Sequence, residues 1–558
     1  MARKKKTNWL KIFRVAFAAV VFAIISLYLL DFTNLLPDSF RSLITIQFVP
    51  AILAGFTIAW LVIILATVVF GRLYCSVLCP AGILQDIIVR FSRFFQRKSG
   101  KKKIFFHYQK PYNIIRYGIL ALTVILFILG SIHLLLYLDP YSNFGRIAAN
   151  LFRPVVIGAN NVAAKGLMQM DQYWLYDVNL NTISIGSLIA AIVAFVTLII
   201  MSVLHGRLFC NTLCPVGSTL SVFSKYSLFK IDMDETLCNA CGNCTRACKA
   251  ECIDYENMKV DNSRCVTCFN CITHCNRGGL HYRFVNPFKK KQSIFTAEPV
   301  TEVAKTNAKG RRLFVSALGT LAASIPVAKT LAQEHRGHGH DSDHYRTVEI
   351  EGKEGVKHIT IKGEGGPSVK HHKQNRPITP PGSLSYERFI DKCTACGLCV
   401  IKCPTQILKP VGFTYGFDYI LKPEMYYDND FCNYECTICA DVCPNDALTK
   451  LTQLEKETTQ MGIVHFNEDL CVVKTDNTDC GACSEHCPTQ AVKMVPYKGA
   501  LTIPQINEDL CIGCGGCEYI CPTRPKRAIF IVANEVHKKV EKPKEEKVKE
   551  VENLDFGF

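Results

Sequence analysis

Long apolar runs, separated by polar loops, fill the amino-terminal part of the chain. Four of them approach or exceed the about 20 residues with which a helix crosses a bilayer. They cover residues 15–30, 48–70, 117–138 and 183–204. A fifth run, residues 313–328, is shorter and contains Pro326. This pattern predicts a membrane α-helical bundle of four to five spans, followed by polar domains.

Positive charge collects in the loops at one end of these runs. The chain starts MARKKK, and residues 86–116 hold nine Lys or Arg against one acid. The loops 31–47 and 139–182 hold only one and three Lys or Arg. Because cytoplasmic loops carry the excess of Lys and Arg, we expect the amino terminus on the cytoplasmic side of a bacterial inner membrane. The net charge of +16 reflects this bias, and no nucleic-acid motif accompanies it.

Sixteen of the 29 cysteines form four quartets in the carboxy-terminal part of the chain. Each quartet ends in Cys-Pro, and the first and last have the spacing C-x-x-C-x-x-C-x-x-x-C-P. Three thiolates at that spacing bind one [4Fe–4S] cubane, and the fourth binds a neighbouring one. A zinc ribbon needs no third and fourth thiol at this spacing, and disulfide pairing does not explain four copies of it. The predicted ligands are Cys393, Cys396, Cys399, Cys403, Cys432, Cys436, Cys439, Cys443, Cys471, Cys480, Cys483, Cys487, Cys511, Cys514, Cys517 and Cys521.

A second set of cysteines lies upstream and forms two further motifs. By the two-cluster rule, the first three thiols of each motif share a cubane with the last thiol of the other. Neither Cys248 nor Cys275 is followed by Pro, and Cys252 is an additional thiol that is an alternative to Cys248. The two sets predict six cubanes in two α+β ferredoxin-like modules. The predicted ligands of the upstream set are Cys238, Cys241, Cys244, Cys248, Cys265, Cys268, Cys271 and Cys275.

The last group of cysteines lies in a sequence repeat. Cys75 and Cys79 belong to GRLYCSVLCPAG, and Cys210 and Cys214 belong to GRLFCNTLCPVG. Each string directly follows an apolar run, so the repeat indicates two related structural units. Their four thiols bind a seventh cluster or act as two redox-active dithiol pairs, and the spacing does not choose between these alternatives.

The order of these features divides the chain into six segments. Residues 309–324, KGRRLFVSALGTLAAS, resemble a twin-arginine export signal, with a stop-transfer flank as the alternative. Both interpretations put the four-cluster module in the periplasm. The segments are a membrane domain at 1–235, a cytoplasmic two-cluster module at 236–290, a linker with the fifth span at 291–332, a His-rich flexible linker at 333–385, a four-cluster module at 386–535 and a charged, disordered tail at 536–558.

These motifs resemble two partner proteins joined in one chain. Residues 1 to about 292 resemble NapH, the membrane quinol-dehydrogenase component associated with periplasmic nitrate reductase, and residues from about 305 to 535 resemble NapG. The duplicated GRL[YF]CxxLCP string is the most specific part of the likeness. Membrane ferredoxins of the NosR and CcoG types are related. The resemblance implies that electrons pass from the quinol pool through the membrane part to the four-cluster part, and then to a periplasmic partner.

The sequence and the resemblance together predict an electron carrier. It connects the membrane quinone pool, or a cytoplasmic donor, with a periplasmic reductase or cytochrome. The chain has no C-x-x-C-H haem motif and no G-x-G-x-x-G dinucleotide motif, so it is at most a component of a quinol dehydrogenase. The alternative, which the CcoG resemblance suggests, is a maturation factor that reduces or loads a metal for another respiratory enzyme.

One histidine interrupts the third apolar run near its outer end. An ionisable group inside a membrane helix is a functional candidate, and an imidazole titrates near neutrality, which suits the acceptance of a quinol proton. We therefore predict a quinol site around His133. The alternative is a histidine that hydrogen-bonds a neighbouring helix or lies at the membrane interface.

Overall fold

The computed structural model describes most of the chain. The described residues are 8–98, 105–178, 183–285, 345–352, 355–362, 372 and 374–542. The predicted span at 313–328 and the twin-arginine string lie outside them.

Helices make up the described part of the amino-terminal region. Asn8 and Ser184 cap the two longest helices, because each side chain accepts a hydrogen bond from a backbone N–H of the first turn. The helices are Trp9–Leu30, Asp38–Arg41, Ser42–Thr45, Phe48–Leu53, Thr57–Phe70, Tyr74–Val77, Pro80–Lys98, Asn113–Ile128, His133–Leu138, Pro140–Ile147, Ala148–Phe152, Arg153–Met168, Ile185–His205, Leu208–Thr212 and Pro215–Ser224.

Two of these helices are long and apolar enough to cross a membrane, namely Trp9–Leu30 and Ile185–His205. The apolar helices Thr57–Phe70 and Asn113–Ile128 are shorter. The predicted runs 48–70 and 117–138 are each divided, because the chain turns at Gly55 and Gly130, where φ is +73° and +82°. The bundle of four to five full spans therefore stays a prediction.

The cluster motifs lie in small α+β units. In each of the six quartets the third cysteine lies on a short helix, and these helices are Asn243–Ala247, Asn270–His274, Leu398–Lys402, Ile438–Val442, Ala482–Glu485 and Gly516–Ile520. The other helices of these units are Tyr386–Lys392, Gln453–Glu457, Glu468–Leu470, Val472–Thr475 and Glu508–Leu510.

Six two-stranded antiparallel sheets accompany the helices in the described residues. Two of them frame the upstream motifs: Phe229–Met233 with Leu280–Phe284, and Ile253–Asp254 with Lys259–Val260. The other four are Tyr345–Gly352 with Gly355–Lys362, Leu408–Pro410 with Pro423–Met425, Thr459–Phe466 with Ile529–Lys539, and Val492–Pro496 with Thr502–Ile506.

The predicted ends of the four-cluster module need correction. The ring of His372, assigned to the flexible linker, stacks on Phe530 with the ring centres 3.6 Å apart. At the other end, Lys539 pairs with Thr459, so residues 536–539 belong to a strand and not to the tail. The linker also contains the hairpin that begins at Tyr345, whose alternating apolar and polar positions in VEIEG and VKHITIK are typical of strands.

The two cluster modules pack against opposite ends of helix Ile185–His205. At its first turn, a Cβ on Gly186 would stand 3.5 Å from Gly412 of the four-cluster module. Two residues after its last residue, Arg207 donates its backbone N–H to the Lys249 carbonyl of the two-cluster module over 2.9 Å. Because a helix rises about 1.5 Å per residue, the two modules stand about 30 Å apart along this helix.

Candidate functional site

The upstream quartets form two cavities whose linings combine the motifs. One cavity is lined by Cys238, Cys241 and Cys244 together with Cys275. The other is lined by Cys265, Cys268 and Cys271 together with both Cys248 and Cys252. Three thiols from one motif and the last thiol of the other meet at each cavity, which is the arrangement that a pair of cubanes requires.

Cavities in the four-cluster module bring together thiols of different quartets, which the cysteine spacing alone does not assign to one another. One cavity brings Cys403 of the first quartet to three thiols of the second, and another brings Cys521 of the fourth to three thiols of the third. By the two-cluster rule, the complementary sets take the fourth thiol that remains, Cys443 for the first quartet and Cys487 for the fourth. The predicted sets are Cys393, Cys396, Cys399 and Cys443; Cys432, Cys436, Cys439 and Cys403; Cys471, Cys480, Cys483 and Cys521; and Cys511, Cys514, Cys517 and Cys487.

The local backbone explains how the motif loops wrap a cluster. In four of the six quartets, the residues two and four positions after the first cysteine have positive φ, and they are Ala240, Gly242, Thr267, Phe269, Ala395, Gly397, Gly513 and Gly515. Such left-handed residues turn successive backbone N–H groups towards one side and form a concave anion site. The Gly513 N–H, for example, lies 3.4 Å from the Cys511 sulfur. The loops thus supply hydrogen bonds to thiolates and inorganic sulfides.

Cys252 and Lys249 lie close to other parts of the site. The Cys252 sulfur lies 3.5 Å from that of Cys248. Both thiols line the cavity of Cys265, Cys268 and Cys271, so Cys252 stays an alternative to Cys248 as the fourth ligand. Lys249 stands where the four carboxy-terminal quartets have Pro, and its ammonium group ion-pairs with Asp86 of the bundle over 3.2 Å.

The four CxxxCP thiols come together between the two modules. Cys75, Cys79, Cys210 and Cys214 are each only 2–3% exposed and belong to one buried core. Two arginines tie the repeats to each other. Arg207 donates to the Cys75 carbonyl over 2.7 Å, and Arg72 donates to the Cys210 carbonyl over 3.0 Å. The corresponding arginine of each repeat thus contacts the first cysteine of the other repeat, as in an approximate two-fold relation.

Two glycines make this close approach feasible. A Cβ on Gly82 would stand 2.3 Å from the Cys75 carbonyl oxygen, and a Cβ on Gly217 would stand 2.1 Å from that of Cys210. Each glycine follows its CP dipeptide after one residue, so the repeat carries them at corresponding positions. The sequence shows that the arginines and glycines are repeated. It does not show that each arginine contacts the first cysteine of the other repeat, or that each glycine lies against the first cysteine of its own repeat.

Excess positive charge surrounds these thiols. Arg14, Arg207 and Lys249 all contact the single carboxylate of Asp86, at 3.4, 2.9 and 3.2 Å. Burial alone raises the pKa of Asp86, but the three cations outweigh burial and hold that pKa below its ordinary value. Arg72 is fully buried, and no carboxylate of the described residues lies within ion-pair distance of it.

A thiolate-bound cubane fits this charge balance. A core of charge about +2 held by four thiolates has a net charge of about −2, and a buried cation needs such a counter-charge.

His133 lies where the bundle meets the four-cluster module. It begins helix His133–Leu138, its Nδ1 lies 2.9 Å from the Ser131 hydroxyl, and its Nε2 lies 3.5 Å from a carboxylate oxygen of Asp418. Among the described residues, no hydrogen bond or ion pair joins His133 to a cysteine. Its role at a quinol site stays a prediction.

Comparison with known families agrees with the cysteine motifs. The family model described as "4Fe-4S binding domain" matches residues 52–102 and 187–233, which contain the two CxxxCP strings. The model described as "4Fe-4S dicluster domain" matches residues 392–447 and 478–524. The chain is therefore an iron–sulfur protein of the ferredoxin type.

Individual proteins similar to this chain are also of the ferredoxin type. The chain is 26% identical to the ferredoxin-type protein NapF of Escherichia coli over 162 residues, which are 29% of this chain and 90% of NapF. It is 27% identical to the NapG protein of the same species over 26% of this chain and 65% of NapG. It is 32% identical to the methylamine utilization ferredoxin-type protein MauM of Methylophilus methylotrophus, over 29% of this chain and 74% of MauM. The chain belongs to the ferredoxin-type protein family of MauM. No solved structure matches it.

Proposed function

We propose that the chain is a membrane-bound electron conduit, in which a cytoplasmic two-cluster module and a periplasmic four-cluster module are joined by a seventh cluster at Cys75, Cys79, Cys210 and Cys214. When bound, cubanes take up and release electrons one at a time. The observation that carries the proposal is a single buried core, which contains Cys268 of one module, the four CxxxCP thiols and Cys396 of the other module. Ligand sets therefore follow one another from end to end.

Buried aromatic residues fill the space between the CxxxCP thiols and the four-cluster module. Tyr74 and Tyr141 are 6% and 1% exposed, and Asp139 is 1% exposed. Burial raises the pKa of Tyr74, and the charges of Cys79 and Asp139 raise it further. Burial likewise raises the pKa of Tyr141, followed by the charges of Cys396 and Asp139. Asp139 thus lies near both tyrosines, and the three side chains exclude water between the two ligand sets.

The order continues through the four-cluster module. The Cys432 N–H donates to the Cys514 carbonyl over 2.9 Å, so the second and fourth motifs are in direct contact. The sets that contain Cys396, Cys432, Cys514 and Cys483 then follow in that order away from the bundle. The set around Cys483 comes last in this row, and its Cys480 and Cys483 are partly exposed. The set around Cys483 is the natural outlet to a periplasmic reductase or cytochrome.

The surface of the helices supports membrane insertion. Large apolar side chains are exposed on the long helices, among them Phe13 and Ile185, and also on the shorter ones, among them Ile58 and Ile114. Contiguous exposed apolar surface of this kind is typical of contact with lipid or a partner. With the basic loops inside, the two-cluster module is cytoplasmic and the four-cluster module is periplasmic, as in a fusion of NapH-like and NapG-like proteins.

The conduit is favoured over a maturation factor by the arrangement of the CxxxCP thiols. A dithiol reductase needs an accessible thiol pair with a lowered pKa. Here burial raises the pKa of Cys79 and Cys214 well above the ordinary value, and all four thiols are buried as one group from both repeats. Burial of all four thiols as one group suits a shared cluster site, whereas a reactive dithiol has to be accessible.

Iron analysis and redox titration of the anaerobically purified chain test the proposal. Seven cubanes hold about 28 iron atoms and six hold about 24, four per cubane. The Cys75→Ser/Cys214→Ser variant should lose about four irons and one redox centre. A content below about 20 irons in the unaltered chain, or a variant with the iron content of the unaltered chain, contradicts the assignment of ligands.

A further inference from the structure

A fully buried lysine lies inside the four-cluster module. Lys456 is 0% exposed and belongs to the short helix Gln453–Glu457. A capping box fixes the start of this helix, because the Thr452 side chain accepts a hydrogen bond from the Glu455 N–H and the Glu455 carboxylate accepts one from the Thr452 N–H over 2.8 Å. Lysine is almost never fully buried unless it is paired, so an anionic group is expected beside its ammonium.

No carboxylate supplies that charge in the described part of the chain. The ion pairs of this region use other cations, and the neighbouring Glu457 pairs with Lys542 over 2.7 Å. The ammonium of Lys456 has one hydrogen-bond acceptor among the described residues, the carbonyl oxygen of Tyr434 at 3.4 Å. A carbonyl carries no net charge, and a buried cation is unfavourable without a counter-charge. The thiolates of the adjacent cluster motifs are the anions that remain.

Tyr434 lies in the loop of the second quartet, between Cys432 and Cys436. The ammonium of Lys456 therefore lies against the loop that wraps the ligand set of Cys432. Burial raises the pKa of the Cys432 thiol to about 12, and the positive charge of Lys456 acts in the opposite direction. A charge at this position stabilises negative charge on the set.

The segment that carries Lys456 also contacts the fourth quartet. Gln460 follows in strand Thr459–Phe466, and its side-chain amide donates to the Cys511 carbonyl over 2.8 Å. Burial raises the pKa of the Cys514 thiol to about 11, and the charge of Lys456 again acts in the opposite direction. Lys456 thus stands where the ligand sets of Cys432 and Cys514 meet.

The lysine within the third quartet is placed differently. The side chain of Lys474 is 37% exposed, and its ammonium pairs with Glu468 over 3.2 Å and with Asp469 over 2.8 Å. Two carboxylates and the solvent therefore screen its charge. Its effect on the ligand set of Cys483 is expected to be small, so this set is an internal reference for the effect of Lys456.

A buried positive charge beside a cluster favours the state that holds one more electron. The net charge, the hydrogen bonds to the sulfurs and the exposure of a cluster set its reduction potential, and charges act most strongly where water is excluded. We propose that the ammonium of Lys456 raises the reduction potentials of the two clusters held by the Cys432 and Cys514 sets together. The inference rests on the proposed function and adds that one side chain controls two neighbouring clusters of the electron route.

A redox titration of the full, cluster-loaded chain, followed by EPR, tests this role. Lys456→Met removes the charge and keeps the length of the side chain. At a fixed solution potential, the ratio of reduced to oxidised form should fall at least about tenfold at two centres, which corresponds to about 59 mV for a one-electron couple. The signals that change in Cys439→Ser and in Cys517→Ser identify these two centres. The ratio at the centre of the Cys483 set should change by less than about twofold, because this set is screened from Lys456.

Two matched variants separate the charge of Lys456 from its structural role. Lys456→Arg keeps the buried charge, and Lys450→Met removes an exposed lysine of the same module. Both should leave every ratio within about twofold of that in the unaltered chain, because a buried charge stays in place and an exposed one acts weakly.

Each result decides the inference. Unchanged potentials in an iron-loaded Lys456→Met chain overturn it and leave the conduit intact. An equal shift of every centre also overturns it, because such a shift shows a general structural effect. If Lys456→Met does not load iron, Lys456→Gln decides, since its amide still donates to the Tyr434 carbonyl, and loss of iron in that variant as well overturns the inference. An unaltered chain without these centres overturns the proposed function itself.

Discussion

A methyl group at Gly145 should loosen the junction between the bundle and the four-cluster module. Gly145 lies in helix Pro140–Ile147, and a Cβ there would stand 2.3 Å from the carbonyl oxygen of Cys396. An ordinary contact distance is about 3.5 Å, so the cluster loop or the helix must move by about 1 Å. The helix backbone fixes the position of the Cβ, and the Cys396 oxygen belongs to the backbone, so neither atom can rotate away.

The cost of that movement is comparable to overpacking a core, about 1–3 kcal/mol. If the module is held to the bundle by this interface, the ratio of docked to undocked molecules falls by about 5- to 150-fold. Gly158→Ala is the matched control, because a Cβ at Gly158 in helix Arg153–Met168 meets nothing within 4 Å. It should be neutral or stabilising by up to about 1 kcal/mol, the helix propensity difference.

Hydrogen–deuterium exchange of the loaded proteins measures the effect. Gly145→Ala should increase exchange in residues 394–402 and in residues 140–153, and should leave residues 238–275 unchanged. Gly158→Ala should exchange like the unaltered chain. If Gly145→Ala also shows unaltered exchange at both segments, the module does not seat on the bundle through Gly145 and Cys396, and the route between the ligand sets loses its support.

Three further predictions follow from the charges at the two junctions. Asp31→Asn removes the carboxylate that ion-pairs with Lys402 over 2.8 Å, and breaking such a buried pair costs about 3–5 kcal/mol; the thermal midpoint should fall at pH 7. Burial raises the pKa of Asp31, but the hydrogen bonds from Lys402, the Leu36 N–H and Thr33 together outweigh it and lower that pKa from 3.8 to about 2. The stabilisation should thus be complete above about pH 4 and disappear as the pH falls through 2, and a midpoint that is flat between these values speaks against the pair. Arg72→Leu removes a buried cation from the CxxxCP thiols, so the redox titration should show one centre at lower potential, or the loss of about four irons; an unaltered titration contradicts the proposed cluster. His133→Ala should slow the reduction of the clusters by a soluble quinol analogue if the imidazole accepts a quinol proton. Unchanged reduction kinetics with intact clusters remove His133 from the reaction.

The sequence predicts the cluster chemistry well, because ligand spacing is local. Four of the six quartets share the same left-handed positions, such as Ala395 and Gly397, and the two-cluster rule then pairs Cys275 with the thiols of the motif that starts at Cys238. Membrane helix lengths are predicted less well. Gly55 and Gly130 interrupt runs whose average hydropathy alone indicates unbroken spans.

Contacts between distant segments are beyond what local patterns indicate. The sequence repeats Arg72 and Arg207, but only the fold shows that each reaches across to the other repeat. Similarly, Gly145 and Cys396 are 251 positions apart in the sequence and meet at one interface.

The central claim is that electrons pass from the cytoplasmic module to the periplasmic module through the CxxxCP thiols. Sealed, inside-out membrane vesicles expose the cytoplasmic module, and added dithionite does not cross the bilayer. In the unaltered chain, freeze-quench EPR should then show reduced clusters of both modules. In the Cys75→Ser/Cys214→Ser chain, only the two upstream clusters should be reduced. Reduction of the four periplasmic clusters in that variant, or its absence in the unaltered chain, would contradict the conduit.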